Sequence, residues 1–108
     1  MKKSELIAQL NDVFRKTGEG GKIYMTRGIA CLDREIQTKI IEAVRDFNEF
    51  TKDNDPYGEH DFGIFKIPGK IINWKIDCYD LKFEYGSENP ADSEQTRRVL
   101  TIMLAEEY

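Results

Sequence analysis

Residues 53–63 read DNDPYGEHDFG and gather four carboxylates, the chain's histidine, two glycines, a proline and two aromatics into eleven positions. Asp53, Asp55, Glu59 and Asp61 surround His60, the one histidine of the chain, and Tyr57 stands at the centre. Carboxylates beside an imidazole can orient a ring nitrogen for general-base work or share a metal with it. The calcium-loop pattern fails. Counting from Asp53, the fifth position is Tyr57, where an oxygen donor for the ion is needed, and the twelfth is Ile64, where Glu is needed. The remaining chemistry is a metal-assisted hydrolase or nuclease centred on His60, Asp61 and Asp77. A nuclease motif of Asp followed by Glu-x-Lys is nearly met by Asp61 and Asn73-Trp74-Lys75, but asparagine replaces the second carboxylate. Nothing matches a Walker loop, a dinucleotide fingerprint or a nucleophile elbow.

The elements that position these residues follow from periodicity. Leu6, Leu10, Val13 and Phe14 predict a helix over 4–16, with Ser4 as cap and Thr17-Gly18 as stop. Residues 22–26 alternate and predict a short strand. Asp33 can cap a helix over 33–47 whose stripe is Ile36, Ile40, Val44 and Phe47. Residues 62–67 and 70–79 flank Pro68-Gly69, a type II turn signal, and predict a hairpin. Its simple register sets Phe65 opposite Ile72, Gly63 opposite Trp74, Asp61 opposite Ile76 and His60 opposite Asp77. Ile72, Trp74, Ile76 and Cys78 then face the core, and Lys75, Asp77 and Tyr79 the other side. Residues 81–85 alternate and are expected as a third hairpin strand or an edge. Asp92 and Gln95 suggest a capping box for a last helix over 92–108, buried through Thr96, Val99, Leu100, Met103 and Leu104. Arg97 and Arg98, on that helix, could reach back to the acidic turn.

The order α-β-α-β-β-(β)-α implies a single α+β domain over 1–108: a small antiparallel sheet packed against three helices. Hydrophobic residues at 40% and charged residues at 33% suit a folded chain. A net charge of −4 argues against nucleic acid as a general partner. A regulator of nucleic acid acting through Arg97, Arg98 and Lys75 is the third reading. No apolar run approaches the roughly 20 residues of a membrane span. Met1-Lys2-Lys3 leads into an amphipathic segment, so no secretion signal is expected, and Cys31 and Cys78 are expected as reduced thiols of a soluble cytoplasmic protein.

Four stretches, 20–28, 47–63, 74–80 and 96–108, together resemble a bacterial domain family of unknown function, DUF3768. The resemblance covers nearly the whole chain. It departs at Cys78, Asn89 and Ser93, where the family tends to carry tyrosine, aspartate and proline. It implies bacterial chromosomes, plasmids or phages as the setting, and from that setting a part in interference with host defence; it brings no activity with it. The leading expectation is a non-enzymatic protein-binding module without cofactor. Its candidate surface is Asp53, Asp55, Tyr57, Glu59, His60, Asp61, Lys75, Asp77, Tyr79, Arg97 and Arg98. The oligomeric state is left open.

Overall fold

The computed structural model describes residues 1–108. Helix α1 spans Lys3–Thr17, strand β1 Gly21–Met25, a short helix α2 Arg27–Ala30, and α3 Arg34–Asp46. Strands β2, Phe62–Ile67, β3, Lys70–Tyr79, and β4, Arg97–Leu104, follow, and a 3-10 turn closes the chain at Ala105–Glu107. The sheet order is β1-β4-β3-β2. This is an α+β fold with a mixed sheet: β2–β3 and β3–β4 are antiparallel, whereas β1 pairs parallel with β4. No helix is long and apolar enough to cross a membrane.

The hairpin forms in the expected register, with Phe65 opposite Ile72 and Gly63 opposite Trp74. Gly69 has φ of 78°, the left-handed value its turn requires. Gly63 leaves room for an indole that is fully buried, and a Cβ there would lie 2.6 Å from Trp74 Cε2.

The expected helix over 92–108 is instead strand β4. A strand buried on both faces reads as an unbroken apolar run, which periodicity cannot separate from a buried helix. β4 lies between β1 and β3, and Val99, Leu100, Ile102 and Met103 are buried on alternate faces. The Asp92 signal is real but makes a turn: its carboxylate accepts from Glu94 N at 2.9 Å and Gln95 Nε2 at 2.6 Å. Residues 81–85 are likewise a turn and not a strand. Asp80 draws them round by accepting from Lys82 N and Glu84 N, and pairing resumes only at the Tyr79–Gly86 bridge.

Helices α1, α2 and α3 all pack on one face of the sheet. Phe14, Ile29, Ile40, Val44 and Phe47 meet Ile72, Trp74, Ile76, Leu100 and Ile102 there. α3 presents the expected stripe. α1 is rotated from its expectation: it buries Ile7, Ala8, Asn11, Phe14 and Arg15, while Leu6 and Val13 are exposed. Gly18 stops it in the left-handed region, but Ser4 is not its cap; Lys2 holds that place without a side-chain bond.

The C-terminal turn is fastened by Glu107. Its carboxylate accepts from Thr26 Oγ1 at 2.6 Å, Gly28 N at 2.9 Å and Leu104 N at 2.9 Å. The Thr26 bond, then those from Leu104 and Gly28, hold the carboxyl below its usual 4.5. A depressed carboxyl contributes stability above its unfolded value that is lost as pH falls through the folded one. Glu107→Gln should therefore be less stable than wild type near neutral pH, with the gap closing in acid. Urea unfolding at both ends of that range measures it, and a gap of constant size would contradict the assignment.

Candidate functional site

The turn before β2 is organised by Asp55, which is 8% exposed. Its carboxylate accepts from Glu59 N at 3.1 Å and His60 N at 3.3 Å. These bonds hold His60 at φ 55°, a left-handed conformation uncommon for a residue with a side chain. The inversion carries the imidazole out of strand alternation and toward α1. Nδ1 lies 3.0 Å from both oxygens of Asp12, Nε2 lies 3.8 Å from Asp55 Oδ2, and the ring stacks on Phe50 at 3.9 Å and 3°. With Asp12 ionised, Nδ1–H is the donor.

Arg15, 2% exposed, continues the chain of contacts. Nη2 donates to Asp12 at 2.9 Å, and Nη1 donates to the carbonyls of Val44, Arg45 and Phe47 at the end of α3. The guanidinium lies 5.0 Å from the Trp74 ring centre and 5.5 Å from that of Phe50. A continuous clasp thus runs from the end of α3 through Arg15, Asp12 and His60 to Asp55. A carboxylate that orients an imidazole is half of a general-base device. Here the ring's other partners are a second carboxylate and an aromatic face, so the arrangement ties α1 to the loop over 47–61.

The expected His60–Asp77 pair is not formed. Ile76 N does bond Asp61 O at 2.8 Å, so the ladder continues one residue past β2 before the backbone inverts. Asp77 instead pairs with Lys75 at 3.1 Å on the opposite face of the sheet. His60 and Asp77 thus turn to different partners, and no three His, Cys, Asp or Glu side chains group as metal ligands.

Glu59 and Asp61 lie beside the clasp. Burial, then Asp61 and Asp55, raise the Glu59 carboxyl. Burial is also the main cause that raises Asp61; its backbone hydrogen bond and His60 oppose, while Asp55 and Asp77 add to the rise. A raised carboxyl favours its protonated form in the fold, so its contribution is full below the unfolded value of 3.8 and is lost as pH rises through the folded one. Asp61→Asn should accordingly stabilise the protein near neutral pH. The gain should be small, because water screens a partly exposed carboxylate. It should vanish below pH 3.8; a loss of stability at neutral pH would show that Asp61 makes a bond the amide cannot replace.

Arg97 and Arg98 do not reach the acidic turn as ion pairs. On a strand their side chains fall on opposite faces. Arg98, 3% exposed, donates from Nε to Asn11 Oδ1 at 2.6 Å and from Nη2 to Pro90 O at 2.7 Å. Asn11 in turn donates to Glu59 O at 2.9 Å, so the link to the turn passes through an amide. Burial lowers the Arg98 pKa, and burial raises that of the Cys78 thiol, with Arg98 opposing. Cys31 is exposed, and both cysteines are free.

The remaining candidates stand elsewhere. Lys75, Asp77 and Tyr79 line a groove of about 360 Å³ on the outer sheet face, with Lys22, Tyr24 and Phe83. The Asp77 bond, then its charge, raises Lys75, and Lys22 Nζ sits 4.3 Å over the Phe83 ring. Asp53 and Tyr57 are exposed on the turn. Sequence reasoning missed Asn11, Asp12, Arg15 and Phe50. The signal for α1 was a second face, Ile7, Asn11 and Phe14 at helical spacing, whose polar member made it the weaker of two stripes.

Residues 25–107 match the model of a family described as "Protein of unknown function (DUF3768)". None of the curated proteins and none of the solved structures matches the chain. The matched span begins after α1, so it contains His60, Asp55 and Arg98 but not their partners Asp12, Arg15 and Asn11.

Proposed function

This chain belongs to the DUF3768 family of proteins of unknown function, and we propose that it is a non-enzymatic protein-binding module whose contact surface is the outer face of its sheet. The observation that carries the reading is that the helices cover only one side of that sheet, while on the other, around the buried Asn73, Val99 and Met103, large apolar side chains stay open. All three helices pack on the core face. The other face shows Tyr24, Ile64 and Ile71 at 53%, 48% and 45% exposure. Lys75 shares the row of Tyr24, and Lys22, Asp77 and Tyr79 continue the face on the side away from the hairpin turn. Aromatic and aliphatic anchors with mixed charges around them are the composition of a protein interface. The clasp at His60 contributes by holding the frame and not by touching the partner. A bacterial or mobile-element protein of the cytoplasm, acting on a component of host defence, is the setting we propose for it.

Affinity capture from a bacterial lysate, with wild type and variants compared, tests this. A partner held by wild type should be lost from Tyr24→Ala with Tyr79→Ala and kept by Tyr57→Ala. Loss with Tyr57→Ala alone would move the surface to the acidic turn. Recovery of nucleic acid in place of protein would favour the reading through Lys75 and Arg97.

A further inference from the structure

We propose that the cleft between α1, α3 and β1 is a binding site for a small amphiphilic carboxylate, aromatic or branched-aliphatic. The cleft lies on the helix side of the sheet, apart from the outer face, and the proposal stands independently of the protein-binding reading. Its apolar lining is Ile23, Met25, Ile41, Val44, Leu100 and Ile102. Val44, Leu100 and Ile102 are buried in the core, whereas Ile23 is 41% exposed and Met25 and Ile41 are half-buried. The wall is therefore incomplete on the β1 side, where β1 is an edge strand with no neighbour beyond it.

The polar lining is two arginines, Arg15 and Arg45, and no carboxylate lines the cleft. Arg15 shares its charge with Asp12, but its Nε is buried without an acceptor. Arg45 is exposed and forms no ion pair. The cleft thus offers one uncompensated positive charge at its rim above an apolar floor. An anion with an apolar body meets both needs: its carboxylate pairs with Arg45 and its body replaces water on Ile23 and Ile41. A cation or a wholly polar anion meets one or neither. The volume of about 280 Å³ lies just under the roughly 300 Å³ at which pockets for drug-sized ligands begin. That sets the size at a single ring or a short branched chain.

Methyl-resolved NMR titration of the full chain with phenylacetate tests the site, with phenylacetamide as its neutral counterpart. The Ile23, Ile41 and Ile102 methyls should shift saturably with phenylacetate. The amide and the Arg45→Gln variant should each bind at least about tenfold more weakly, the loss expected for one charge-assisted pair. Ile41→Trp, which fills the cleft from its half-exposed wall, should abolish the shifts; Ile23→Trp serves the same end from the strand side. Absence of methyl shifts, equal affinity for acid and amide, or unchanged affinity in Arg45→Gln would overturn the proposal.

Discussion

Arg15→Ala is expected to lower the folding stability by about 3–5 kcal/mol, through the buried carbonyls it leaves short of a donor and the void it opens in the core. The residue lies on a helix that is otherwise charged in its last turn, where arginine is ordinarily solvated. Here it is 2% exposed and closes the end of α3. α3 ends at Phe47 with φ −58° and ψ 130°, without the left-handed cap that would satisfy its last carbonyls. Arg15 Nη1 takes that part for Val44, Arg45 and Phe47, at 2.7, 3.2 and 2.9 Å. Truncation leaves these carbonyls short of a donor, leaves Asp12 without its cation, and opens a void under Trp74 and Phe50. Urea unfolding followed by Trp74 fluorescence measures the loss. Arg15→Lys should recover only part of it, since an ammonium cannot span both the carbonyls and Asp12 in one plane. A loss under about 1 kcal/mol for Arg15→Ala would show that water takes over these bonds.

Gly63→Ala is the second large effect, expected at about 2–3 kcal/mol as an overpacking cost. The added Cβ would meet Trp74 at Nε1, at Cε2 at 2.6 Å and at Cζ2 at 2.8 Å. The indole cannot yield, because it is fully buried and Phe47 and Phe50 stand edge-on against it at 5.5 and 6.2 Å. Gly63 is not in a left-handed conformation, so the cost is one of space and not of backbone strain. The pair should therefore be non-additive. Trp74→Phe alone costs stability through the lost ring, yet in the Gly63→Ala background it should restore part of what was lost. Additive losses would place the strain elsewhere in β2.

The difference between what could and could not be read follows range of interaction. The hairpin was legible because Pro68-Gly69 and the alternation on either side are local, and its register brought Gly63 to Trp74 with no further information. α3 was legible because its apolar stripe is wide and its partner, the sheet, demands nothing specific of it. β4 was not, because a strand buried on both faces loses the alternation that marks strands, and Asp92 gave a turn the look of a helix start. The candidate site was half legible. Composition pointed to residues 53–63, but the direction of the His60 side chain depends on a backbone inversion set by Asp55 and on Asp12, 48 residues earlier. Arg98 was assigned to the surface because a helix was assumed; a strand with the same residues sends it inward to Asn11.

The position of β4 has a consequence for the order of assembly during synthesis. β1 and β3 are both bonded to β4 and not to each other. Gly21 must wait for Arg98, 98 − 21 = 77 positions later in the chain. As the polypeptide emerges, the β2–β3 hairpin can close at once, while β1 carries two open edges and the middle of the sheet is vacant. Such a topology makes folding slow relative to helical proteins of the same length, because the closing loop is long. It also means that a nascent chain halted before residue 97 holds an apolar layer with nothing to seal it, which makes β1 and β3 the strands a chaperone would have to shield.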